Sequence, residues 1–457
     1  MAKVTLLTDF GSTYTKLTAV DLDSERTVGF ARVPTTVRTG LPDGLSDGLS
    51  ELKKQGVTTI AARLACSSAA GGLKMAVSGL MPELTVEAAR RAALGAGAKV
   101  WRVYSHELTR ADIAELNAAP PDIFLLTGGT DGGNKANILK NAGMLSRHAA
   151  RTFPIVLAGN RAAADEAADL LRAFSPVVCP NVMPTLGVLA AEPVQAAIRT
   201  IFLKHIVRAK GLQDVASELN APLIPTPSAV LAGMTLLADG TDALPGLGGI
   251  AGVDIGGATT DVYSICTGDP SEANITLRGL PEPYAKRTVE GDIGLRFSCR
   301  GIVSAAGEAD ILRHSGLSAE ALQTGLSQRE NDPGWLAAAG SDLQLDKTLA
   351  YFALAIALKR HAGQLESVYT PLGQTFVQTG KDLRPVRHVL LTGGPLIAWH
   401  DAGALLAAAL RDPGSSLLPR SPAVLIDREY RFSALGLLAT WQPDIALRMM
   451  LKEFSYE

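Results

Sequence analysis

A short pattern that occurs twice in the chain constrains its fold more than any other feature. An apolar, β-prone run ends in an aspartate, passes through a turn of small residues and continues into a second β-prone run, first at 4–22 and again at 251–266. The equivalent residues, at a constant offset of 245 (254 − 9), are Asp9 and Asp254, Gly11 and Gly256, and Thr15 and Thr260. The short distance between the two runs favours a β-hairpin over a strand followed by a helix.

Two further pairs of segments repeat in the same order. FLLTGGT at 124–130 matches VLLTGGP at 389–395, and LGVLA at 186–190 matches LGLLA at 435–439, where both members are predicted to begin helices. One such motif is weak evidence, because glycine is common in turns at strand ends. Three pairs in one order indicate that the chain contains two copies of one α/β unit.

The duplication and the composition of the connecting segments predict the domain boundaries. The predicted parts are a first lobe at 1–200, an interdomain helix and Pro/Gly-rich connection at 201–249, a second lobe at 250–435 with a helical insertion at about 301–346, and a C-terminal helix at about 436–457 that packs back on the first lobe. A Pro- and Gly-rich composition is typical of segments between domains.

The charge balance and the cysteines argue against several function classes. Lys and Arg total 43 against 45 Asp and Glu, and no basic block is interleaved with aromatic residues, so a nucleic-acid partner is not expected. The four cysteines are dispersed without metal-ligand spacing, which predicts reduced thiols and a cytoplasmic location. The N-terminal segment is unlike a signal peptide and no run of 18 apolar residues occurs, so no membrane association is expected.

The small-residue turns are candidate phosphate-binding sites. Backbone N–H groups can converge on a phosphate only where small residues let the chain approach it closely. The predicted phosphate-binding residues are Gly11, Ser12 and Thr13 in the first half and Gly256, Gly257, Ala258, Thr259 and Thr260 in the second. Lys16, just after the first turn, is a candidate for a point charge on a phosphate, with an exposed strand lysine as the alternative.

Asp9 and Asp254 end the strands that lead into these turns, and they are the predicted metal ligands and catalytic carboxylates. A carboxylate beside a bound polyphosphate can hold Mg²⁺ through water molecules, because this ion dehydrates reluctantly. The alternative for a single aspartate is a hydrogen bond to its own turn, whereas a matched pair favours the metal. Asp261 occupies the position of Lys16 in the second half, so the two hairpins differ in charge.

The TGG segment of the second half is assigned to the nucleoside. Gly393, Gly394 and Pro395 would lie against the adenine and ribose of a nucleotide, where a larger side chain would clash. No G-x-x-x-x-G-K-[ST] motif occurs in the chain, so it is not a P-loop protein.

Two acidic residues outside the hairpins are further candidates. In TGGTDGGN, Asp131 follows Gly128 and Gly129, which are predicted to bind the nucleotide, and it is the first candidate for orienting an attacking water. The alternative is a solvated Asp-Gly turn. Glu290, in the acidic cluster EGD, is predicted to contact ribose or to face the other lobe.

These motifs resemble those of known families. DFGSTYTK, VDIGGATTD and VLLTGGP in this order resemble the two phosphate loops and the adenosine loop of the superfamily of acetate and sugar kinases, heat-shock chaperones and actin. A more specific resemblance is to the methylaspartate (glutamate) mutase accessory proteins of the MutL/GlmL type. It is carried by TDFGSTYTK, LLTGGTDGGN, NVMPTLGVL, VDIGGATTDVYS, RTVEGDIGLR and HVLLTGGPL, and it extends to about Leu451.

The resemblance implies a duplicated actin-like ATPase (ribonuclease H-like) fold with two lobes around a nucleotide cleft. It implies ATP and Mg²⁺ as ligands, no covalently held cofactor, and the subunits of an adenosylcobalamin-dependent mutase as partners, with self-association into a homo-oligomer left open. The expected role is that of an ATP-hydrolysing, chaperone-like reactivating factor. Hydrolysis would then change the angle between the lobes.

Three alternatives stay open on the sequence alone. A small-molecule kinase would use the same cleft, although no carboxylate base stands in a recognisable sugar pocket. A 2-hydroxyacyl-CoA dehydratase activator would need a cysteine in a glycine-flanked, helix-opening position, and none of the four cysteines has that context. A filament-forming or scaffolding relative would bind the nucleotide without turnover.

Overall fold

The computed structural model describes residues 4–11, 14–35, 41–68, 73–150, 152–209, 213–371, 373–411 and 414–456. The chain divides into two compact units, Met1–Ala229 and Val230–Glu457. The division falls within the segment 201–249 that was predicted to connect the lobes.

The first unit contains ten strands and a set of helices between them in the part of the chain that the structure describes. The strands are β1 Val4–Phe10, β2 Tyr14–Asp21, β3 Arg26–Pro34, β4 Ile60–Ser67, β5 Lys74–Gly79, β6 Lys99–Ser105, β7 Ile123–Leu126, β8 Ile155–Leu157, β9 Val177–Val178 and β10 Ile224–Pro225. The α-helices are α1 Leu41–Lys54, α2 Glu87–Gly95, α3 Arg110–Ala118, α4 Ala136–His148, α5 Ala164–Leu170, α6 Glu192–Ala209, α7 Gln213–Ser217 and α8 Thr226–Asp239, which crosses the unit boundary. Short π- and 3₁₀-helical turns lie at Pro82–Val86, Arg161–Ala163 and Arg172–Phe174.

The first sheet of this unit has the order β10-β4-β1-β2-β3. β1, β2 and β3 form an antiparallel meander, and β4 and β10 continue it in parallel on the other side of β1. All seven residues of β1 are buried, as expected for a central strand with neighbours on both edges. The predicted hairpin at 4–22 is therefore confirmed.

The second sheet of the first unit is wholly parallel and has the order β6-β5-β7-β8-β9. In chain order this is the arrangement 2-1-3-4-5, in which the connection direction reverses between the first and third strands. Aromatic and aliphatic side chains from β7, α3 and α4 fill one core of this layer, including Phe124, Ile113 and Ile138. The sheet lies, in sequence, between β4 and β10 of the first sheet.

The second unit repeats the meander. Its strands are β11 Ile250–Ile255, β12 Thr260–Ile265, β13 Ile275–Arg278, β14 Ala285–Glu290, β15 Gln364–Thr370, β16 Gly373–Thr379, β17 His388–Thr392, β18 Ala423–Ile426 and β19 Ser455–Tyr456. Its helices are α9 Cys299–Ala306, α10 Glu308–Ser315, α11 Ala319–Asn331, α12 Gly340–His361, α13 Gly394–Ala398, α14 Ala402–Ala409, α15 Phe432–Ala439 and α16 Pro443–Glu453. The main sheet has the order β14-β12-β11-β17-β18-β19, and β13, β16 and β15 form a small separate sheet.

The order β14-β12-β11-β17-β18 has the same directions as β3-β2-β1-β4-β10 of the first unit. The prediction that the chain contains two copies of one α/β unit is therefore confirmed. In both copies, a hairpin is followed by a third antiparallel strand and then by two parallel strands that reach the other side of the first strand.

Two of the three predicted equivalences are wrong. The strand β17, which ends in TGG, lies parallel to β11, and its counterpart beside β1 is β4. β7, which precedes the other TGG, belongs to the parallel second sheet. The two segments read alike because a parallel strand that leads into a helix commonly ends in a turn of small residues.

The third predicted pair, 186–190 and 435–439, is not equivalent either, because only one of its members is helical. Residues 186–190 form a loop, and the next helix, α6, begins at Glu192, whereas 435–439 lie in α15 as predicted. The counterpart of α15 is α8, since each helix follows the last parallel strand of its copy. These helices approach closely: a β-carbon built on Gly233 would lie 2.9 Å from the α-carbon of Gly436.

The segment predicted as a connection contains β10 and α8, so it is part of the fold. Pro225 ends β10 and Pro227 lies in the first turn of α8, where its missing N–H leaves no hydrogen bond unmade. The helical segment expected at 301–346 contains α10, α11 and parts of α9 and α12. The C-terminal helix α16 packs on α15 and leads into β19 of the main sheet of the second unit, and its predicted packing on the first lobe stays a prediction.

Within the residues that the structure describes, no helix combines the length and the apolar character that crossing a bilayer requires.

His361 lies in the core of the second unit and should make stability depend on pH. Its side chain is 0% exposed, and its ring nitrogens contact Thr288 Oγ1 at 2.7 Å and Ser264 Oγ at 2.8 Å. Burial, with the nearby charges of Lys286 and Lys381, lowers the pKa of His361 well below its ordinary value of 6.5. The unfolded chain therefore takes up a proton at a pH at which the folded protein does not.

We predict that stability falls as the pH falls through about 6.5, because only the unfolded state gains the proton. The unfolding free energy of the wild type, measured with urea, should drop more between about pH 7.5 and about pH 5.5 than that of His361→Gln, by up to about 1.4 kcal/mol per pH unit. Equal pH dependence of the two proteins would contradict the assignment, whatever the absolute stability of the variant.

Candidate functional site

The first hairpin places a buried carboxylate at the end of β1. Asp9 lies opposite Lys16 in the antiparallel register, and Lys16 Nζ is 2.9 Å from Asp9 Oδ2. The hydroxyl of Thr226, at the start of α8, donates to Asp9 Oδ1 at 2.8 Å. Both charged side chains are buried, at 2% and 8% exposure. A buried carboxylate stays ionised only when a cation or hydrogen-bond donors of this kind compensate its charge.

The parallel neighbour of Asp9 is Cys66 of β4, whose Sγ is 3.5 Å from Asp9 Oδ1. Burial raises the pKa of the Cys66 thiol well above its usual value, and the negative charge of Asp9 adds to the effect. The thiol therefore stays neutral and can donate weakly to the carboxylate. Neither Cys66 nor Thr226 was recognised in the sequence, because their contacts with Asp9 depend on strand register and on the position of α8.

The turn that follows Asp9 needs its glycine. Gly11 N donates to Tyr14 O at 3.1 Å, and a β-carbon on Gly11 would lie 2.5 Å from that same oxygen. The Gly11 carbonyl accepts from Thr35 Oγ1 at 2.9 Å, which joins the turn to the residue after β3. Ser12 and Thr13, predicted to bind phosphate, lie outside the described residues.

The second hairpin has the same backbone geometry. Asp254 lies opposite Asp261, as Asp9 lies opposite Lys16, and Gly256 N donates to Thr259 O at 2.8 Å. Thr260 is buried, and its hydroxyl donates to the Ile293 carbonyl at 2.9 Å. The two halves thus carry a strand-end carboxylate and a four-residue turn in equivalent positions.

The charges of the two hairpins differ. Asp9 faces a lysine, whereas Asp254 and Asp261 are two carboxylates on one face of β11 and β12. Arg287 of β14 pairs with Asp261, with Nη2 at 2.6 Å and Nε at 2.8 Å from Oδ1. Burial opposes the charge of Arg287, but Asp261 outweighs this effect and raises the pKa of the guanidinium. The second hairpin thus carries two carboxylates and a guanidinium, whereas the first carries one carboxylate and one ammonium group.

A loop from the RTVEGDIGLR segment covers the second turn. Leu295 N donates to Gly256 O at 3.0 Å, and Arg296 N donates to Gly257 O at 2.9 Å. A β-carbon on Gly294 would lie 2.4 Å from the carbonyl carbon of Ala258, so this contact is possible only for glycine. The predicted phosphate-binding residues Gly256, Gly257 and Ala258 are therefore held from outside the hairpin.

A buried ion-pair network anchors that loop to the helical segment. The Arg296 guanidinium lies 3.1 and 3.2 Å from the two carboxylate oxygens of Asp346, and Arg329 Nε is 2.7 Å from Asp346 Oδ1. Arg329 is fully buried and also donates to the Gly325 and Asp342 carbonyls. Sequence reasoning gave the helical segment no role; the structure shows that it supports the second turn.

Glu290 ends β14 opposite Thr260, and its carboxylate lies 2.5 Å from Arg360 Nη1 on α12. Arg360 therefore pairs with the Glu290 carboxylate, which was predicted to contact ribose. The ribose contact stays a prediction.

The second TGG segment requires glycine for a close approach between strands. Gly393 has a φ of +103°, and a β-carbon there would lie 2.3 Å from the Ile255 carbonyl oxygen at the end of β11. A β-carbon on Gly394, at the start of α13, would meet no heavy atom within 4 Å. The surface beside Gly394 is open, as a nucleoside site requires; the side chain of Pro395 lies outside the described part of the chain.

The remaining predicted residues lie on the parallel sheet of the first unit. Gly128, Gly129 and Asp131 follow β7, so they share no sheet with Asp9. Asp131 Oδ1 accepts from Asn181 Nδ2 at 2.9 Å and from the N–H of Arg161 at 2.9 Å. These bonds give Asp131 a local structural role, and its predicted action on a water stays a prediction.

One sheet in each unit repeats the same order over five strands and contains an Asp-bearing hairpin with a glycine turn, which defines a duplicated actin-like, ribonuclease H-like α/β protein. A family model described as MutL protein matches residues 5–454. A curated relative, Protein MutL of Clostridium tetanomorphum, is 44% identical over 454 residues, which are 98% of each chain. The chain belongs to the MutL protein family, and the family predicted from the motifs is confirmed.

Solved structures with similar chains cover nearly the whole protein at low identity. Xylulose kinase from Bifidobacterium adolescentis is 11% identical with a TM-score of 0.35, over 98% of this chain and 93% of that chain. The activator of the 2-hydroxyisocaproyl-CoA dehydratase from Clostridium difficile, with bound ADPNP, is 12% identical with a TM-score of 0.31, over 98% and 97%. Glycerol dehydratase reactivase is 10% identical with a TM-score of 0.37, over 96% and 100%.

The two adjacent glycines after β17 give a matched test of the geometry. We predict that Gly393→Ala destabilises the protein by at least about 1–3 kcal/mol, because alanine is strained at this φ and its β-carbon would overlap the Ile255 carbonyl. Gly394→Ala should fold with the stability of the wild type. Urea unfolding of both variants measures the difference, and a Gly393→Ala protein as stable as Gly394→Ala would refute the close approach.

Proposed function

We propose that the chain is an ATP-binding and ATP-hydrolysing accessory protein that reactivates an adenosylcobalamin-dependent mutase such as glutamate mutase. The observation that carries the proposal is the repeated hairpin, in which a carboxylate ends one strand and a glycine turn follows at the same register in both units. Membership of the MutL protein family supports the accessory role. The mutase itself is inferred from the resemblance of the motifs.

The residues present fit a nucleotide and Mg²⁺. Gly11 and Gly256 permit a close approach to the backbone oxygens of Tyr14 and Thr259, and Gly394 leaves open space where a nucleoside could lie. The carboxylates of Asp9 and Asp254 would hold Mg²⁺ through its water ligands, and Lys16 would neutralise phosphate charge. When bound, the metal would polarise the phosphate oxygens and offset charge that develops on them.

The two hairpins would have different electrostatic roles, one toward the phosphate groups and one toward the metal. At Asp9 the carboxylate is already matched by Lys16, so this hairpin offers a cation to phosphate and a carboxylate to metal-bound water. At Asp254 the facing residue is a second carboxylate, Asp261, instead of a lysine, and a metal ion is the ligand that carboxylates attract. We therefore expect Asp254 to contribute more to metal affinity, and Lys16 more to phosphate affinity.

Coupling to a partner would follow from hydrolysis of the bound ATP. Loss of the γ-phosphate removes contacts with the protein and shifts the conformational arrangement that the protein prefers. A mutase that binds one arrangement more tightly would then be released or remodelled. A small-molecule kinase with the same hairpins would instead need an acceptor.

We predict that Asp254→Asn lowers the rate of Mg²⁺-dependent ATP hydrolysis by about 10- to 100-fold, as expected when a carboxylate that orients metal-bound water is lost. Asp269→Asn, the same change at an exposed aspartate after β12, should leave the rate unchanged. Phosphate release at saturating ATP measures the effect. A full rate in Asp254→Asn at low Mg²⁺ would exclude this residue from the site.

We further predict that a purified glutamate mutase carrying inactive cobalamin stimulates ATP hydrolysis and regains activity when adenosylcobalamin is supplied. Asp254→Asn should abolish the recovery, and Asp269→Asn should not. ATP consumption that depends on a sugar or carboxylic acid, with a phosphorylated product, would establish a kinase instead.

A further inference from the structure

The parallel sheet of the first unit has a feature that the proposed function does not use. In its order β6-β5-β7-β8-β9, the chain leaves β5 toward β6 on one side and returns to place β7 on the other side. The loops that follow β5 and β7 therefore diverge at the carboxyl edge of the sheet. In open parallel sheets, this switch point is where ligands bind.

The loop after β7 is held rigidly in place. The side chain of Asn160 donates to the carbonyls of Gly133 and Asn134 at 3.0 and 3.1 Å, and Asn181 donates to the Gly129 carbonyl at 3.0 Å. Gly129 has a φ of +71°, and a β-carbon there would lie 2.0 Å from the Asn134 carbonyl oxygen. The loop is thus ordered before any ligand arrives, and the cost of ordering it on binding is small.

Two buried polar side chains at this edge have no partner. Asn137, in the first turn of α4, is 4% exposed, and Ser78, at the end of β5, is 0% exposed. Among the described residues, no hydrogen bond is made by Asn137 Nδ2, Asn137 Oδ1 or Ser78 Oγ. A β-carbon on Gly128 would lie 3.0 Å from Asn137 Oδ1, so the amide faces the loop. Burying an amide in this way costs free energy that a ligand can recover.

The next amide on the same face of α4 shows the contrast. Asn141 Oδ1 accepts from the N–H of Leu108 at 2.7 Å, and Asn141 Nδ2 donates to the His106 carbonyl at 2.9 Å. One turn of helix separates the two side chains. On α4, Asn141 therefore holds a loop by hydrogen bonds, whereas Asn137 lies at the switch point with no side-chain hydrogen bond among the described residues.

The electrostatics of the α4 N-terminus favour an anion. Lys135 directly precedes α4, Asn134 Oδ1 accepts from the N–H of Asn137 at 3.0 Å, and the first turn carries no acidic residue. A cation at a helix N-terminus opposes the helix dipole, so this arrangement is costly unless a negative group is bound. The carboxylate of Asp131 is directed instead to Asn181 and to the N–H of Arg161.

We propose that the carboxyl edge of the parallel sheet binds a phosphorylated small molecule that carries a hydroxyl group next to its phosphate. The phosphate would lie at the N-terminus of α4 beside Lys135 and accept from Asn137 Nδ2, while the hydroxyl donates to Asn137 Oδ1. Ser78 Oγ would complete the polar floor. This site is separate from the hairpins and does not depend on the proposed ATP hydrolysis.

The test uses the full-length protein with inorganic phosphate and with glycerol 3-phosphate as probes, followed by calorimetry and by thermal unfolding. Glycerol 3-phosphate should bind the wild type and raise its unfolding temperature more than inorganic phosphate does. Asn137→Leu and Lys135→Glu should each weaken binding by about 10- to 100-fold, as expected for loss of hydrogen bonds or charge at an anion. Lys53→Glu, the same change at an exposed lysine of α1, should bind the probe like the wild type.

The stability of two matched variants without ligand gives an independent readout. Asn137→Leu should unfold at or above the wild-type temperature, because it removes an amide that has no partner. Asn141→Leu should be clearly less stable, because it strands the Leu108 N–H and the His106 carbonyl. The proposal is overturned if neither probe binds, if Asn137→Leu and Lys135→Glu bind the probes as the wild type does, or if Asn137→Leu is destabilised as much as Asn141→Leu, as a structural amide bonded to an interior water would be.

Discussion

The backbone bond that closes each glycine turn, from Gly11 N to Tyr14 O and from Gly256 N to Thr259 O, fixes the position of the strand-end carboxylates. With the turn closed at four residues, the register places Asp9 opposite residue 16 and Asp254 opposite residue 261. Thr226 at the start of α8 contacts Asp9, and the loop at Gly294 contacts the turn that follows Asp254, so both depend on that geometry.

The two hairpins share strand register but carry different charges, which explains how one repeated unit can bind two different groups. The first hairpin buries a neutral pair, Asp9 with Lys16, and surrounds it with the hydroxyl of Thr226 and the thiol of Cys66. The second keeps two carboxylates and balances one of them with Arg287. A buried ion pair adds little to stability by itself. Its value here lies in fixing which charge each turn presents.

The sequence was sufficient for features set by local chemistry. The hairpins, their aspartates and the duplication follow from short-range pattern, since strand alternation and turn residues are local properties. The predicted equivalence of the two TGG segments was wrong, because the chain topology, and not local sequence similarity, decides which strands are neighbours. The contacts of Cys66, Thr226 and Arg329 were out of reach for the same reason: each partner lies tens to hundreds of residues away along the chain.

The interruption of the first sheet has a consequence for biosynthesis. β10 takes its place beside β4 by pairing Ile224 with Cys66, although the whole parallel sheet is encoded between them. During translation, the meander and β4 can form early, but the sheet acquires its last strand only after some two hundred residues have left the ribosome. Thr226, which reaches Asp9, arrives with that strand. Until then the Asp9 carboxylate lacks the hydrogen bond from Thr226. The surroundings of Asp9 are therefore completed late in the synthesis of the first unit.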